Sequence, residues 1–313
     1  MTTIKVPRSL APVALFVYNR PEHTRRTIDA LRANSLAEAT SLYVFSDAPR
    51  DENSIDAVRK VRDLISDISG FASVNIVKRE HNLGLAESII DGVGMLCERF
   101  GRVIVLEDDL QTSPHFLTFM NDGLDTYASD MRVQSICGYM YPVALSADAS
   151  SFFLSVPNSW GWATWSDRWC IFDRDGQALL ERIQSRGLLR AFNANSPNSY
   201  IKMLKDQIAG RNHSWFVRWH AAGFLQQMLT LYPAQSLVRN IGIDGSGVHC
   251  ADWKIDPYWV ELATDPVPVD RTSPVEHLAN LARLNRYFVR IKVARYINHV
   301  IRKLALFRRR MAS

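Results

Sequence analysis

A run of branched aliphatic residues that ends abruptly in three acids constrains this chain more than any other feature. The run reads Arg102-Val-Ile-Val-Leu-Glu107-Asp108-Asp109. Consecutive apolar residues without polar alternation predict a strand buried on both faces, as in a parallel sheet. Ligands of open α/β sheets bind just beyond the carboxyl ends of such strands. The sequence therefore predicts a binding site at the three acids.

The acid triplet also predicts a cation. Three adjacent carboxylates repel one another and lose hydration on burial, so a positive charge is expected to offset them. Hard oxygen ligands suit Mg²⁺ and Mn²⁺, and either ion can hold a diphosphate. The alternative interpretation is a polar turn in which Asp109 caps the next helix.

Strand-like and helix-like segments alternate through the first two thirds of the chain. The pattern predicts strands at residues 13–18, 42–45, 74–77, 103–106 and 133–137. It predicts helices at residues 21–33, 51–68, 85–100 and 114–127. Strands separated by helices of this length indicate right-handed crossovers, and hence an α/β fold with a mostly parallel sheet flanked by helices. Further on, we expect strands at 152–156 and 236–238, and a helix at 215–231.

Charge is distributed unevenly along the 313 residues. The net charge is +5, yet residues 277–313 contain ten Arg or Lys and no acid, which leaves the rest of the chain at −5. Such asymmetry indicates a basic tail with its own partner. The four cysteines show neither metal-ligand spacing nor a disulfide framework, and the sequence shows no secretory leader and no apolar run long enough to span a bilayer. We therefore expect a cytoplasmic chain.

Polar side chains follow the other predicted strands. Successive parallel strands share one carboxyl edge, so these residues are expected to lie beside the acids. A cation, a carboxylate and an amide there suit a nucleotide, although each one alone is more typical of a helix cap or turn. The candidates are Tyr18, Asn19, Arg20, Asp47, Asn82 and Gly84.

From the motifs after its predicted strands and their order along the chain, this sequence resembles GT-A-fold glycosyltransferases, which have a Rossmann-like mixed sheet. It is similar to both the bacterial family 2-like sugar transferases and the N-acetylglucosaminyltransferase I group, over residues 12–250. The resemblance is carried by Tyr-Asn-Arg20-Pro, Ser46-Asp47, Glu107-Asp108-Asp109-Leu with a following Ser-Pro-His-Phe, Gly161-Trp162, and Gly-Ser-Gly-Val-His249.

The resemblance implies roles for these residues. Asp109 would ligate Mn²⁺ or Mg²⁺, while Glu107 and Asp108 would orient ribose and metal-bound water. Arg20 and Asp47 would hold the nucleotide of a nucleotide-sugar donor, with UDP-sugar as the expected one. His249 would reach the diphosphate or the metal from a glycine-rich loop that can close over the donor. A surface loop with a solvent-exposed histidine is the alternative.

The sequence offers three candidates for the catalytic base. The acetylglucosaminyl group has an acid in a Trp-Asp-Asp-Trp segment, and the matching segment here, Ser214-Trp-Phe-Val-Arg-Trp219, has no carboxylate. Asp206 is the first candidate, followed by Asp173 and Asp244. Asp206 lies on a predicted helix near Lys202 and Lys205, so a surface ion pair is an equally good interpretation.

Aromatic residues predict an acceptor surface. Four tryptophans fall within residues 160–169, and sugar faces stack on aromatic rings, although aromatics also fill cores. We expect some of the four to be core residues, and Trp160 and Trp162 are the candidates for the acceptor.

The predicted organisation is a GT-A domain at 1–255, a proline-rich linker at 256–274 and a basic amphipathic helix at 275–313. The domain would comprise a nucleotide-sugar-binding half at 1–150 and an acceptor half at 151–255. The helix suits an anionic membrane surface and a lipid-linked acceptor. Its alternative is to pack on its own domain or on a second subunit, as in a homodimer. The acidic body argues against nucleic acid.

The sequence therefore predicts a metal-dependent, inverting glycosyltransferase of cell-surface polysaccharide synthesis, peripheral at the inner face of the cytoplasmic membrane. Two alternatives remain open. A nucleotidyltransferase would use a similar sheet and metal, but it normally needs a glycine-rich basic loop after the first strand. An inactive relative that binds sugar or nucleotide is the other.

Overall fold

The structure is a computed structural model that describes residues 9–146, 149–193, 199–243 and 256–311, with side chains described as far as residue 294. The strands of this part of the chain are β1 (Val13–Val17), β2 (Ser41–Ser46), β3 (Ser73–Lys78), β4 (Arg102–Glu107), β5 (Leu110–Thr112), β6 (Val133–Cys137), β7 (Ser151–Leu154), β8 (Trp162–Trp165), β9 (Leu229–Pro233) and β10 (Val238–Asn240).

The α-helices are α1 (Pro21–Arg32), α2 (Ile55–Ser66), α3 (Gly84–Phe100), α4 (Phe116–Thr126), α5 (Ser166–Trp169), α6 (Gly176–Ser185), α7 (Leu189–Asn193), α8 (Tyr200–Ile208), α9 (Trp215–Leu225) and α10 (Leu278–Met311). Short 3₁₀ turns lie at Ala37–Ala39 and Glu52–Ser54. None of the described helices has an apolar stretch long enough to cross a bilayer.

One eight-stranded sheet, in the order β3-β2-β1-β4-β8-β6-β9-β7, forms the centre of the molecule. The first four strands are parallel, as predicted for strands joined by helical crossovers. β8 lies antiparallel between β4 and β6, and β7 closes the sheet antiparallel to β9. The α/β fold class is confirmed, and the sheet is mixed.

Alternating residues of the central strands fill two cores, one on each face of the sheet. On β1, Leu15 faces the core that contains α1, α2, α4 and the start of α10. Phe16 faces the second core, which contains α3 and the tryptophans of β8 and α9. Both faces of β1 and β4 are therefore buried, which explains the unbroken aliphatic run before the acids.

A separate helical cluster, formed by α6 to α9, packs beside the sheet. Its core includes Leu179, Leu204 and Val217, which lie on three different helices. The sequence predicted a helix around Asp206, and α8 confirms it. It did not predict α6 or α7, because their apolar stripes are short and interrupted.

The helix predicted at 215–231 is wrong after residue 225. α9 ends there, and Gln227 adopts a left-handed φ of 56° before the chain continues as β9. β9 pairs in parallel with β6. A short apolar run in a sequence does not distinguish a buried helix from a buried strand. Here, pairing with β6 makes residues 229–233 a strand.

The tryptophan segment forms strand β8 rather than an exposed platform, which corrects the prediction for Trp162. This side chain is 1% exposed and stacks on Trp215 with ring centroids 5.2 Å apart. Trp169 and Trp219 pack around the same ring. Trp162 is therefore a core residue, and the acceptor prediction remains for Trp160 alone.

The carboxyl-terminal helix packs on the domain over its first turns. Leu281, Leu284, Phe288 and Ile291 are each at most 8% exposed and belong to the main core. Over residues 281–291 the apolar stripe of this helix therefore packs on its own domain, which was the alternative to a stripe that faces a membrane.

The preceding segment, predicted to be a linker, also lies against the domain. The Ala263 carbonyl accepts a hydrogen bond from Ser113 Oγ at 2.7 Å, and the Asp270 carbonyl accepts one from Tyr127 Oη at 2.6 Å. These contacts bring the start of α10 back across the sheet.

Candidate functional site

The acid triplet is held by an arginine from a neighbouring strand. β1 ends at Val17, and α1 begins at Pro21, so Arg20 lies at the carboxyl edge of the sheet beside the end of β4. Its Nη2 donates to Asp108 Oδ1 and, at 2.9 Å, to Asp109 Oδ2. One guanidinium therefore joins two of the three predicted carboxylates.

Backbone contacts fix Asp108 further. The Tyr18 amide lies 3.4 Å from Asp108 Oδ2, and Thr27 Oγ1 of α1 donates to the Asp108 carbonyl at 2.8 Å. Asn19 lies between Tyr18 and Arg20 at intermediate exposure. The loop after β1 and the turn after β4 thus form one structure.

The electrostatics of the site reflect more negative charge than one arginine balances. Burial and the neighbouring Asp109 and Asp108 raise the pKa of Glu107 to about 8, although Arg20 opposes the shift. Burial raises the pKa of Asp108 to about 6 against the attraction of Arg20. Burial alone lowers the pKa of Arg20, but the two aspartates outweigh it and raise this pKa above its ordinary value. A further cation beside these groups would lower both pKa values.

A second group of predicted residues forms around Asp47, which is 7% exposed. Its carboxylate accepts hydrogen bonds from Asn82 Nδ2 at 3.1 Å and from the backbone amides of Leu83 and Gly84 at 2.9 and 2.8 Å. Gly84 has a φ of 72°, a left-handed conformation that favours glycine. Asp47 therefore shapes the start of α3 from the end of β2.

The two groups lie at the same sheet edge. The Asp47 amide donates to the carbonyl of Val17, the last residue of β1, at 3.2 Å. The Arg50 amide donates to Tyr18 Oη at 3.0 Å. The structure thus joins the Arg20 and Asp47 groups, as their positions after neighbouring parallel strands predicted.

A glycine missed as a site residue lies against Asp109. β10 pairs antiparallel with β5, and the Ile241 amide donates to the Asp109 carbonyl at 2.8 Å. A Cβ added to Gly242 would lie 2.2 Å from Asp109 Oδ2 and 2.8 Å from Arg20 Nη1. The sequence signal for this contact is the glycine itself, at the start of the glycine-rich loop. A residue without a side chain lets the backbone approach the Asp109 carboxylate this closely.

The candidate base Asp206 lies in an ion-paired cluster on α8. Its carboxylate binds Lys202 Nζ and, at 2.5 Å, Arg211 Nη2. Hydrogen bonds from Lys202 and Arg211 lower its pKa, so it is a weaker proton acceptor than an ordinary aspartate. This is the surface ion pair that the sequence offered as the alternative.

Asp173 is also engaged in local structure. It forms an ion pair with Arg182 of α6, and its Oδ1 accepts from the Asp175 amide at 2.9 Å. Asp244 and His249 lie outside the described residues. The chain leads into their segment directly after Gly242 and Ile243, beside Asp109.

Trp160 is the remaining candidate for the acceptor side. It is partly exposed, and its ring meets Tyr139 and Tyr258 edge to face, at centroid distances of 4.6 and 5.8 Å. Trp259, which the sequence analysis missed, is 49% exposed and lies 4.2 Å from the Arg239 guanidinium of β10. Nothing in the pattern around Trp259 distinguished it from a linker residue.

The described residues do not form a complete metal site. Among the described residues, no group of three or more His, Cys, Asp and Glu side chains is arranged around a common metal position. Arg20 lies between Asp108 and Asp109, where it supplies the positive charge.

A scan against protein-family models and a search of curated proteins found no match. Among solved structures, the chain is similar to S. aureus TarS at 14% identity, over 45% of this chain and 24% of TarS, with a TM-score of 0.30.

Two further solved structures align over more of the chain. The mannosyltransferase PcManGT from Pyrobaculum calidifontis, in complex with GDP-Man and Mn²⁺, matches at 12% identity, over 71% of this chain and 73% of its own, with a TM-score of 0.33. A UDP-glucose pyrophosphorylase complexed with UDP-glucose matches at 11% identity, over 72% and 90%, with a TM-score of 0.36. All three TM-scores are below 0.5, so these likenesses carry no argument about activity.

Replacing Asp47 by Ala should destabilise the protein by about 2 kcal/mol, because the partly buried amides of Leu83 and Gly84 at the start of α3 lose their acceptor. Urea unfolding of the purified chain measures this change. Asp51→Ala is the matched control, since Asp51 caps only the turn at Glu52–Ser54, and it should cost about 1 kcal/mol. Equal losses in the two variants would contradict the central role of Asp47.

Proposed function

We propose that this chain is a GT-A-type glycosyltransferase that transfers a sugar from a nucleotide-sugar donor, with UDP-sugar as the expected donor. The observation that carries the proposal is the convergence of Arg20, Asp108 and Asp109 with the Asp47 group at one carboxyl edge of the sheet. Ligands of open α/β sheets bind at this edge.

In this proposal a divalent cation binds beside the acid triplet and completes its ligand set from outside the described residues, which do not arrange three ligands around one position. The donors of the triplet are hard carboxylate oxygens, and burial together with the neighbouring aspartates raises the pKa of Glu107. The backbone of Gly242 approaches Asp109 so closely that a Cβ there would collide with the carboxylate. Asp109 would hold Mn²⁺ or Mg²⁺, with His249 as the proposed second ligand. When bound, the cation would stabilise the negative charge on the leaving nucleoside diphosphate.

The remaining residues of the edge have complementary roles in this proposal. Arg20 would share its positive charge between the aspartates and the donor diphosphate, since a guanidinium binds phosphate oxygens in a fixed planar geometry. The loop shaped by Asp47, with Asn82 and Gly84, would receive the nucleoside. Glu107 and Asp108 would keep Arg20 and the ribose in place.

Transfer requires a group that accepts the proton of the acceptor hydroxyl as the new glycosidic bond forms and the donor C1–O bond breaks. Asp206 and Asp173 are occupied by ion pairs. Asp244 is the remaining candidate from the sequence, and it follows closely after Gly242, whose Cα lies against Asp109. We therefore propose Asp244 as the base of an inverting transfer.

The acceptor would approach from the side of Trp160, whose exposed ring surface suits the apolar face of a sugar. A glycan or lipid-linked acceptor of cell-surface polysaccharide synthesis fits this surface. The basic helix α10 would bring the chain to the inner face of the cytoplasmic membrane through residues beyond its packed first turns.

The short loop after β1 argues against a nucleotidyltransferase. Only three residues separate β1 from α1, and they are occupied by contacts with Asp108 and Asp109. This leaves no length for a glycine-rich loop that wraps a triphosphate.

Asp109→Asn should abolish Mn²⁺-dependent binding of UDP, because the proposed ligand loses its charge. For the native chain, saturating UDP with Mn²⁺ should raise the melting temperature by roughly 5 °C more than either alone. Asp56→Asn, at an exposed position of α2, is the control and should behave as the native chain. A full shift in the Asp109 variant would refute the metal assignment.

Gly242→Ala should produce the same loss of UDP binding with little loss of stability, because the new Cβ displaces the ends of Asp109 and Arg20. Gly94→Ala is the matched control, since its Cβ would meet only Trp169 at 3.8 Å. Differential scanning fluorimetry with and without UDP and Mn²⁺ compares the two. Unchanged UDP binding in Gly242→Ala would show that the approach to Asp109 is unimportant.

Asp244→Asn should slow sugar transfer by about 100-fold or more while UDP binding is retained, as expected for loss of a general base. Asp206→Asn should leave the rate within roughly a factor of two, because its ion pairs lie at the surface. The measurement is release of nucleoside diphosphate from a panel of UDP-sugars and GDP-sugars. A slow Asp206 variant beside a normal Asp244 variant would reverse the assignment.

A further inference from the structure

We propose that an arginine-lined pocket on α10 binds the phosphoryl or diphosphoryl group of an anionic acceptor. The pocket lies outside the carboxylate site and has a volume of about 300 Å³. It is formed by the loop at residues 142–144 and by Arg283, Arg286, Tyr287 and Arg290 of α10. Its volume falls at the lower end of ordinary ligand pockets.

Positive charge dominates the lining of this pocket. In the described part of the chain, no carboxylate forms an ion pair with Arg283, Arg286 or Arg290, and the helix that carries them has no acid. Arg286 and Arg290 are one helical turn apart, so their like charges repel. Both side chains are exposed, so an anion from solution can reach them.

The pocket is held in place by packing on the domain. Arg283 Nη1 donates to the Ala144 carbonyl at 3.2 Å, which joins the helix to the opposite rim. Tyr287 Oη donates to the Pro257 carbonyl, and Phe288, on the next position, is 3% exposed. Because Arg283 and Tyr287 anchor α10 on the domain, the three arginines line one pocket of fixed position.

A continuous aromatic cluster joins the pocket to the proposed acceptor side. Tyr141 contacts Tyr287 and Phe288, at centroid distances of 6.3 and 4.9 Å. Tyr139 then joins Tyr141 to Trp160, at 5.0 and 4.6 Å. The pocket and Trp160 therefore belong to one packed aromatic cluster, in which the linking ring of Tyr139 is fully buried.

Arginine favours phosphoryl groups over other anions for geometric reasons. A guanidinium presents paired N–H groups in one plane, and these match two oxygens of a phosphate. Three such groups can surround the several oxygens of a diphosphate, whereas a carboxylate offers only two. The same chemistry occurs in a phospholipid headgroup, a lipid-linked diphosphate and a phosphorylated glycan.

The test titrates inorganic pyrophosphate into the full-length chain by calorimetry, in the presence of EDTA so that no divalent cation is available. Arg286→Gln and Arg290→Gln should each weaken binding by roughly tenfold or more, because each removes a charge-assisted hydrogen bond. Lys292→Gln is the matched control, since it removes one charge from the same helix but does not line the pocket. It should change binding by less than about threefold.

A second arm distinguishes the sources of the phosphoryl group. Sedimentation with phosphatidylcholine vesicles that contain phosphatidic acid is compared with sedimentation with phosphatidylcholine alone. If the arginine variants lose both pyrophosphate and phosphatidic acid binding, the ligand is a lipid headgroup. If they lose pyrophosphate alone, it is a phosphorylated group away from the bilayer.

Native pyrophosphate binding in the arginine variants, or an equal loss in Lys292→Gln, would overturn the proposal. The titration in EDTA does not depend on the divalent cation that the proposed donor site requires. Failure of the proposed glycosyl transfer and failure of this pocket are therefore separate results.

Discussion

The candidate site depends on the two ion pairs that the Arg20 guanidinium forms with Asp108 and Asp109. They compensate part of the charge of three adjacent acids that the fold places at the end of a buried strand. Without this guanidinium, the carboxylates would be both buried and mutually repelling, at a cost of several kcal/mol. One guanidinium faces three carboxylates, so the compensation is incomplete. Burial adds to this cost and raises the pKa values of Glu107 and Asp108.

The side proposed for the acceptor is organised by apolar packing rather than by charge. Trp162 and the tryptophans of α9 fill the core behind the sheet, whereas Trp160 and the tyrosines after β6 continue outward to α10. The first turns of α10 are therefore part of the domain, and their arginines project around a fixed pocket. The sequence of α10 resembles a membrane-binding tail. Its residues 281–291 nevertheless pack on protein.

Much of the proposed donor edge could be predicted, because the meeting of its residues depends on topology alone. Residues that follow parallel strands meet at one edge, so Arg20, Asp47, Asn82 and the acids were found together. The position of Gly242 was not predicted, since the pairing of β10 with β5 joins segments more than 120 residues apart. Trp162 was misassigned because an aromatic residue in a short strand has the same composition signal as an exposed platform. The ion pairs of Asp206 were visible in its lysine neighbours.

The sequence by itself determined the α/β class, the parallel strands β1 to β4 and the acids at their carboxyl edge, because aliphatic runs, helical periodicity and chain order specify these locally. Only the tertiary structure decided that Arg20 bridges two aspartates, that β9 is a strand and that α10 folds back on the sheet. Each of these depends on contacts between distant segments, where burial and charge compensation are settled by the neighbour that the chain meets.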